Sequence, residues 1–298
     1  MTYRDRFISG GLAAVVGLAA TGAVSAGFLV TRTDVALANA TVLASHRAIY
    51  DVSLARTSAS AGVAKLKGRL AFELVADECG GYKQTMRFVT QSTNGEGQAT
   101  LSDIRAGFEE RANASELVFT SETLQDRRVT KRTAGTARRT TAADPEGIDL
   151  SLQQPSTKSL RIERAALFPV QHTKAVIEAA QAGERTITTH LFDGSDSGEK
   201  VYLTTAVIGP PTPAGAQGHR LEVEGGDVLA GLSAWPVALS YFEQKEQPSD
   251  GVPEYELSFV LYENGVSSDL FIDYGTFAIR GNLKSLQVLE TAPCLSPR

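Results

Sequence analysis

The stretch YELSFVLYENGVSSDLFIDYGTFAIRGNLKSLQVLE, residues 255–290, decides the fold class. Alternate residues at its start are apolar: Tyr255, Leu257, Phe259 and Leu261. The residues between and before them are polar: Glu254, Glu256 and Ser258. This period of two predicts strands with one buried face. Asn264-Gly265 is a strong hairpin signal, because both residue types tolerate a positive φ. The stretch therefore predicts an antiparallel β-meander.

The same alternation continues outward along most of the chain. It predicts strands over residues 46–56, 65–76, 81–92, 101–110, 116–124, 127–133, 147–155, 186–192 and 199–209. One segment differs, because it is rich in Ala, Glu and Gln, starts at Pro169 and precedes Gly183. Proline at the first turn and glycine after the end predict a helix over Pro169–Ala182. The fold class is thus all-β, mainly antiparallel, with one substantial helix that covers a sheet face or plugs an open barrel end.

The first forty residues have a composition of their own. Arg4 and Arg6 precede an uncharged run from Ile8 to Val30, and Ala38 and Ala40 then offer small residues in an A-x-A pattern. A basic start, an apolar middle and such an end predict a secretory signal peptide over residues 1–38, cleaved near Ala38 or Ala40. The alternative is an uncleaved membrane anchor. Residues 39–298 are then one exported, periplasmic domain of ordinary globular composition. The net charge of −5 gives no indication of a nucleic-acid partner.

Cys79 and Cys294 are the only two cysteines, and both lie in the exported part. In an oxidising compartment two cysteines most simply form one disulfide. The alternative is a pair of buried free thiols. The chain has no C-x-x-C redox motif, so such a bond would be structural.

The stretch LFDGSDSGEKVY, residues 191–202, is the segment that most resembles a chemical motif. As an EF-hand loop starting at Asp193 it fails, since Thr204 occupies the position of the last ligand, where a glutamate is needed. As a nucleophile elbow around Ser197 it fails too, because Ser195 and Glu199 stand where glycines are needed. An Asp-Gly turn between two strands remains, with a weak cation site as the alternative.

Other candidate chemistry is sparse. The four histidines, His46, His172, His190 and His219, have no metal-binding spacing, and no glycine-rich phosphate loop is present. We therefore predict no catalytic, metal or cofactor residue, and no cofactor. A Ser-His-Asp triad stays open, because its members need only be close in space.

A basic run contrasts with the acidic remainder of the chain. Its members are Arg127, Arg128, Lys131, Arg132, Arg138 and Arg139. One interpretation is a patch that contacts anionic envelope components. The other is a polar hairpin whose charges prevent edge-to-edge aggregation.

The residues also carry a resemblance to a known family. The segments HRAIYDVSL, GRLAFELVADECGGYKQTMRFVT, LFPVQH, DGSDSGEKVYLTTAVIG, WPVALSYF and YELSFVLYENGVSSDLFIDYG, in this order, resemble the EipB family of alphaproteobacterial cell envelope integrity proteins. The resemblance implies a periplasmic β-spiral, an overlapping unclosed barrel with a helix. It implies a disulfide between Cys79 and Cys294 and a role in resisting envelope stress. It supplies no catalytic residue.

Three functions follow as hypotheses. The first is a non-enzymatic periplasmic protein that maintains envelope integrity by binding envelope proteins or lipids. The second is a periplasmic lipid or lipoprotein carrier, because a curled sheet with a helix at its mouth can enclose an apolar ligand. The third is a hydrolase with an unrecognised site. A barrel interior that contains an apolar cavity would favour the second function, and a solidly packed interior would favour the first. A nucleophile–base pair in a cleft would favour the third.

Overall fold

A computed structural model describes residues 41–139, 147–212, 223–243 and 252–294. The predicted signal peptide lies outside these residues. Within them the chain forms fourteen strands and one α-helix. The elements are β1 (His46–Thr57), β2 (Lys65–Ala76), β3 (Tyr82–Thr93), β4 (Ala99–Glu110), β5 (Glu116–Gln125), β6 (Arg128–Arg139), β7 (Ile148–Gln154), β8 (Lys158–Ile162), α1 (Pro169–Gln181), β9 (Thr186–Leu191), β10 (Tyr202–Ile208), β11 (Ala234–Glu243), β12 (Glu256–Tyr262), β13 (Ser267–Asp273) and β14 (Phe277–Val288). Among these residues no helix is both long and apolar enough to cross a bilayer.

All fourteen strands belong to a single sheet in the order β8-β7-β6-β5-β4-β3-β2-β1-β14-β13-β12-β11-β10-β9. Every ladder is antiparallel, and all but one neighbouring pair are consecutive in the chain. The exception is β1 with β14, which joins the first and last strands in the middle of the sheet. The sheet therefore has two free ends, β8 and β9, and the predicted all-β antiparallel class is confirmed.

The two ends overlap instead of pairing edge to edge. The segment after β8 lies along β9, where the Leu167 N–H donates to the His190 carbonyl at 2.7 Å. The Phe192 N–H returns a bond to the Leu167 carbonyl at 2.9 Å. Phe192 then packs between Phe119 of β5 and Phe168, with ring centroids 5.7 and 6.3 Å away, and all three rings are buried. This arrangement is the unclosed, overlapping barrel that the resemblance implies. We call the contact between residues 192–201 and β5–β7 the seam.

The hairpin at Asn264-Gly265 forms where the sequence predicts it, with a different turn. Only Gly265 has a positive φ, of 86°. The Tyr262 N–H donates to the Val266 carbonyl at 2.9 Å and the Gly265 N–H donates to the Tyr262 carbonyl at 2.8 Å. This is a type I turn followed by a left-handed glycine, a common three-residue hairpin loop.

Helix α1 begins and ends close to the prediction. Pro169 is its first residue, and Gly183 follows its end with a φ of 80°. The Gly183 and Glu184 N–H groups donate to the carbonyls of the last turn, at 3.1 and 2.9 Å. Val176 and Ile177 pack against the apolar face of β9–β11. The helix thus covers this part of the sheet and also contributes to the barrel interior.

The disulfide joins Cys79, in the β2–β3 turn, to Cys294 after β14. Two backbone bonds flank it: the Glu78 N–H donates to the Ala292 carbonyl at 3.0 Å, and the Ala292 N–H donates to the Ala76 carbonyl at 2.9 Å. The predicted pairing is therefore present, and it fastens the end of the chain to the second hairpin.

Two strands escape prediction from the sequence, and one is longer than predicted. Strand β8 is short, and β11 contains Pro236, which disfavours a central strand. The ladder between β10 and β11 ends at the pair Ile208–Val237, and Pro236 lies just beyond this last pair. Pro236 is tolerated because no N–H of its own is needed for a ladder bond to β10. Strand β6 continues to Arg139 because its alternate residues Ala137 and Thr133 are buried in the overlap.

Candidate functional site

A cavity of about 530 Å³ occupies the interior of the barrel. Protein interiors are normally packed without voids larger than a water molecule, so a space of this size is a feature to be explained. Its volume falls in the range of ligand-binding cavities. Its lining is mostly apolar and comes from nearly every strand, with helix α1 at one side.

The apolar lining follows the alternation of the sequence. Tyr255, just before β12, and Leu257, Phe259 and Leu261 of β12 all face the cavity. Across the barrel, β2, β3 and β4 contribute Phe72, Phe88, Ile104 and Phe108. The alternation therefore predicts which face of the sheet points inward, and the structure shows that the side chains of this face line a cavity.

Helix α1 is held at its start by a buried carboxylate. Glu110, the last residue of β4, is 4% exposed. Its carboxylate accepts hydrogen bonds from the Val170 N–H at 2.9 Å and the Gln171 N–H at 3.2 Å. Negative charge at a helix N-terminus is favourable, since those N–H groups have no partner within the helix. Burial nevertheless raises the pKa of Glu110 to about 7, against the lowering effect of these bonds.

Arg139 supports the same junction. Its guanidinium donates to the Ala166 carbonyl at 2.7 Å and to Gln171 Oε1 at 2.6 Å, and it lies 4.6 Å from the centre of the Phe168 ring. Burial lowers the pKa of Arg139, although the nearby Glu110 raises it. The Glu110–Arg139 pair thus ties the helix to β4 and β6.

One region of the cavity wall is polar. Lys131 of β6 and the loop residues Asp193, Ser195 and Asp196 line it. Lys131 Nζ forms an ion pair with Asp196, and Lys200 Nζ bonds the other carboxylate oxygen of Asp196 at 2.9 Å. Burial alone would raise the pKa of Asp196, but the bonds from the two lysines outweigh it and lower that pKa.

Asp193 has a different setting. Its carboxylate accepts a bond from the Ser195 N–H at 2.9 Å. Burial is the main cause of a raised pKa at Asp193. The side chain still has intermediate exposure, because the cavity lies beside it.

A wall of aromatic rings continues from this polar region. Tyr202 packs edge-on against Tyr241, with centroids 6.1 Å apart, and Tyr241 stacks on Tyr255 at 4.9 Å. Tyr274 follows at 6.1 Å from Tyr255 and stacks on Phe277 at 4.7 Å. Burial raises the pKa of each tyrosine, to about 12 for Tyr274, so the phenols stay protonated. We call these five rings the aromatic wall.

The stretch 191–202 turns out to form the seam and part of this site. Gly194 and Gly198 have φ of 67° and 83°, and a Cβ on Gly194 would lie 2.3 Å from the Phe119 ring. Both glycines are thus required by backbone conformation and by close packing. The Thr133 hydroxyl donates to the Asp196 carbonyl at 2.7 Å, which adds a polar contact across the seam. The predicted hairpin loop between β9 and β10 is present, but its hydrogen-bonded turn is Ser195–Gly198, where the Gly198 N–H donates to the Ser195 carbonyl at 2.8 Å, and not Asp193-Gly194.

The histidines are placed as follows. His46 and His172 line the cavity and are buried, His190 lies in β9, and His219 lies outside the described residues. His172 Nε2 is 2.8 Å from Thr204 Oγ1, which itself donates to the Thr189 carbonyl at 3.1 Å. Thr204 is 1% exposed, and burial lowers the pKa of His172 to about 4. This pair has the spacing of a nucleophile and base, but the Thr204 hydroxyl proton is directed at a carbonyl and Thr204 itself is buried.

The basic run lies on both faces of β6 and in the turn before it. Lys131 faces the cavity, and Arg139 holds the helix junction. Arg132 pairs with Glu122 at 2.7 Å, Arg138 pairs with Glu116, and Arg127 and Arg128 are exposed at the β5–β6 turn. Contact with an anionic partner through the outward members stays a prediction.

The sequence singled out residues 191–202 and Lys131 separately, but nothing in it placed them beside one another or against the aromatic wall. Each tyrosine follows the apolar alternation, so it reads as core, and only the folded sheet brings Tyr202, Tyr241, Tyr255 and Tyr274 together. Glu110 carried a weak signal, since a glutamate ends a strand whose alternate positions are apolar. Proximity across the sheet could not be predicted from residue types alone.

Fold and cavity together define the class: an overlapping, unclosed antiparallel β-barrel with a hollow apolar interior. The chain belongs to the EipB-like family, whose model matches residues 37–290. It is 33% identical over 254 residues to cell envelope integrity protein EipB of Brucella abortus (strain 2308), covering 85% of this chain and 87% of that protein. The crystal structure of a beta-barrel-like protein of a domain of unknown function from Brucella abortus matches with a TM-score of 0.75 at 30% identity, covering 84% of this chain and 100% of that one.

Proposed function

We propose that this protein is a non-enzymatic periplasmic protein that maintains the integrity of the cell envelope by binding an apolar envelope component inside its barrel. The name of the Brucella relative supports the envelope role. The predicted signal peptide and the disulfide are consistent with export to an oxidising compartment. The absence of catalysis is part of the proposal, supported by the burial of Thr204, whose hydroxyl donates to the Thr189 carbonyl.

The observation that carries the binding function is the cavity. If it were left without a ligand, an apolar space of about 530 Å³ would forfeit the dispersion contacts that its lining could otherwise make. In the T4 lysozyme series, lost stability grew by about 24 cal/mol per Å³ of cavity. A ligand with hydrocarbon chains would recover such contacts and would bury the rings of Phe72, Phe88 and Phe259.

A second candidate function is a periplasmic lipid or lipoprotein carrier. The same cavity favours it, because a carrier must shield acyl chains from water during transfer. The two functions differ in exchange: a carrier releases its ligand to an acceptor membrane, whereas an envelope-binding protein retains it.

The test starts from protein purified from periplasm without detergent, followed by native mass spectrometry and lipid analysis of the bound fraction. We expect one acyl-chain ligand per protein molecule. Met86→Trp places a large ring in the cavity and should abolish binding. Thr85→Trp, its outward-facing neighbour on β3, should retain it. Ligand-free wild-type protein that also fails to take up fluorescent fatty acid would refute the proposal. Accelerated lipid transfer between vesicles would identify a carrier.

A further inference from the structure

Asp193 is a carboxylate of intermediate exposure on the wall of the cavity, and no lysine or arginine of the described residues forms an ion pair with it. In the described part of the chain, no lysine or arginine nitrogen comes within 4.0 Å of its oxygens. Two lysines of this region bond to other carboxylates: Lys131 pairs with Asp196, and Lys200 bonds Asp196 at 2.9 Å and Glu243 at 3.1 Å. Lys200 acts on Asp193 through space, and its charge lowers the pKa of Asp193 against the larger effect of burial. A buried charge is costly unless it is paired. The cavity is therefore the direction from which a partner for Asp193 could come.

The aromatic wall faces the same space. Tyr241, Tyr255 and Tyr274 line the cavity together with Asp193, and Asp193 acts electrostatically on Tyr202, Tyr241 and Tyr255. Aromatic rings attract cations, and aromatic walls next to a carboxylate are a recurrent way to bind quaternary ammonium groups. The rings also present apolar surface to the methyl groups of such a ligand.

We propose that Asp193 and the aromatic wall form a subsite for the cationic head group of an amphiphile whose hydrocarbon chain fills the apolar cavity. This proposal rests on the proposed function, since it names the ligand class for the same cavity. The head group would lie between Asp193 and the tyrosines, and the chain would extend toward Phe72, Phe88 and Phe259.

Other head groups fit this region less well. An anionic group could reach Lys131 only by competing with Asp196 for it, and would face the charge of Asp193. An uncharged polyol could bond to the phenol hydroxyls but would leave Asp193 without a counter-ion. The same cationic chemistry could come from a lipid or from a free quaternary amine, and the test separates these sources.

The experiment measures the affinity of detergent-free, ligand-stripped protein for four probes below their micelle concentrations. Three share a twelve-carbon chain: dodecyltrimethylammonium, laurate and dodecyl maltoside. The fourth is tetramethylammonium, which has the head group alone. We expect dodecyltrimethylammonium to bind about tenfold or more tighter than laurate. A factor of about ten is the lower end of the effect that a carboxylate has on a cation at close range. Tetramethylammonium should bind far more weakly than the twelve-carbon cation.

Asp193→Asn should weaken dodecyltrimethylammonium binding about tenfold and leave dodecyl maltoside binding unchanged. Asp149→Asn, on the outer surface of β7, is the matched control and should bind like wild type. Burial raises the pKa of Asp193, so affinity of the wild type for the cationic probe should rise with pH, measured from about pH 4 to about pH 8, as Asp193 ionises above the ordinary range of aspartate, and less so in Asp193→Asn. The groups facing Asp193 are Ser195, Lys200, Tyr202, Tyr241 and Tyr255, and the tyrosines stay protonated throughout this range.

Each outcome decides a separate question. Equal affinities of all three twelve-carbon probes would overturn the cationic subsite while leaving the binding cavity intact. A preference for laurate would overturn it in favour of Lys131. If tetramethylammonium bound as tightly as the twelve-carbon cation, the proposal that the ligand is an amphiphile would be overturned. No binding of any probe would refute the proposed function as well. The head-group preference and its pH dependence are measured on wild type, so they remain decisive if Asp193→Asn does not fold.

Discussion

Replacing Cys294 by serine removes the covalent link between the β2–β3 turn and the end of the chain. The bond spans a sequence separation of 215 residues. In the chain-entropy account, closing a loop of this length lowers the entropy of the unfolded state by an amount worth about 5 kcal/mol. The folded state should survive, because the bonds between Ala292 and its two partners at Ala76 and Glu78 still hold the segment.

For a domain of this size, each kcal/mol lost lowers the melting temperature by about 2–4 °C. We therefore expect Cys294→Ser to melt about 10–20 °C below wild type, with an unchanged far-ultraviolet circular dichroism spectrum. Cys79→Ser should lose the same amount, and the double variant should be no worse than either single one, because all three remove one bond. Reductant should destabilise wild type alone.

Two results would refute this reasoning. A double variant that loses the sum of the two single losses would mean that the cysteines act independently. Two reactive thiols per unfolded wild-type chain, counted on protein purified under oxidising conditions, would mean that the bond does not form.

Three further predictions concern the helix junction and the seam. The pKa of Glu110 rises from 4.5 to about 7 on folding, so the folded state binds its proton more tightly than the unfolded state. The contribution of this group to stability is therefore greatest at low pH and falls as pH rises through 7. In urea denaturation between pH 5 and 8, Glu110→Gln should reduce this decline by up to about 3 kcal/mol, and the control Glu109→Gln should leave it unchanged. Phe192→Ala should cost about 3–5 kcal/mol in urea denaturation, since its ring is fully buried in the seam, and a loss below about 1 kcal/mol would contradict the packing. Gly194→Ala should lower the melting temperature clearly, whereas a neutral result would show that Phe119 has room to move.

Much of the fold could be predicted because most strands carry their own signal. The alternation from Tyr255 to Leu261 identified the inward face, and Pro169 with Gly183 placed the helix within one residue at its end. Strand β11 gave no such signal, because a proline disfavours a central strand. Only the structure shows that the ladder with β10 ends just before it would need an N–H from Pro236. Local pattern determines an element, but whether a proline is tolerated depends on its neighbour across the sheet.

The site was less predictable for a related reason. Asp193 and Tyr274 are 81 residues apart in the numbering, and their proximity depends on how far the sheet curls. Period-two alternation says that a residue faces inward and does not say whether the interior is filled. The hollow interior follows from the overlap of the two ends, which no local pattern encodes.

The seam loop explains why residues 191–202 resemble a chemical motif without matching one. Its glycines are required by Phe119 and Leu152, which leave no space for a Cβ. Asp196 is required by Lys131 on the opposite side of the seam, because an unpaired lysine there would face the cavity. Only Asp193 has no such partner across the seam. Small residues and carboxylates are therefore concentrated here by the closure of the spiral, and Asp193, which closure does not use, lines the cavity with its carboxylate left for a ligand.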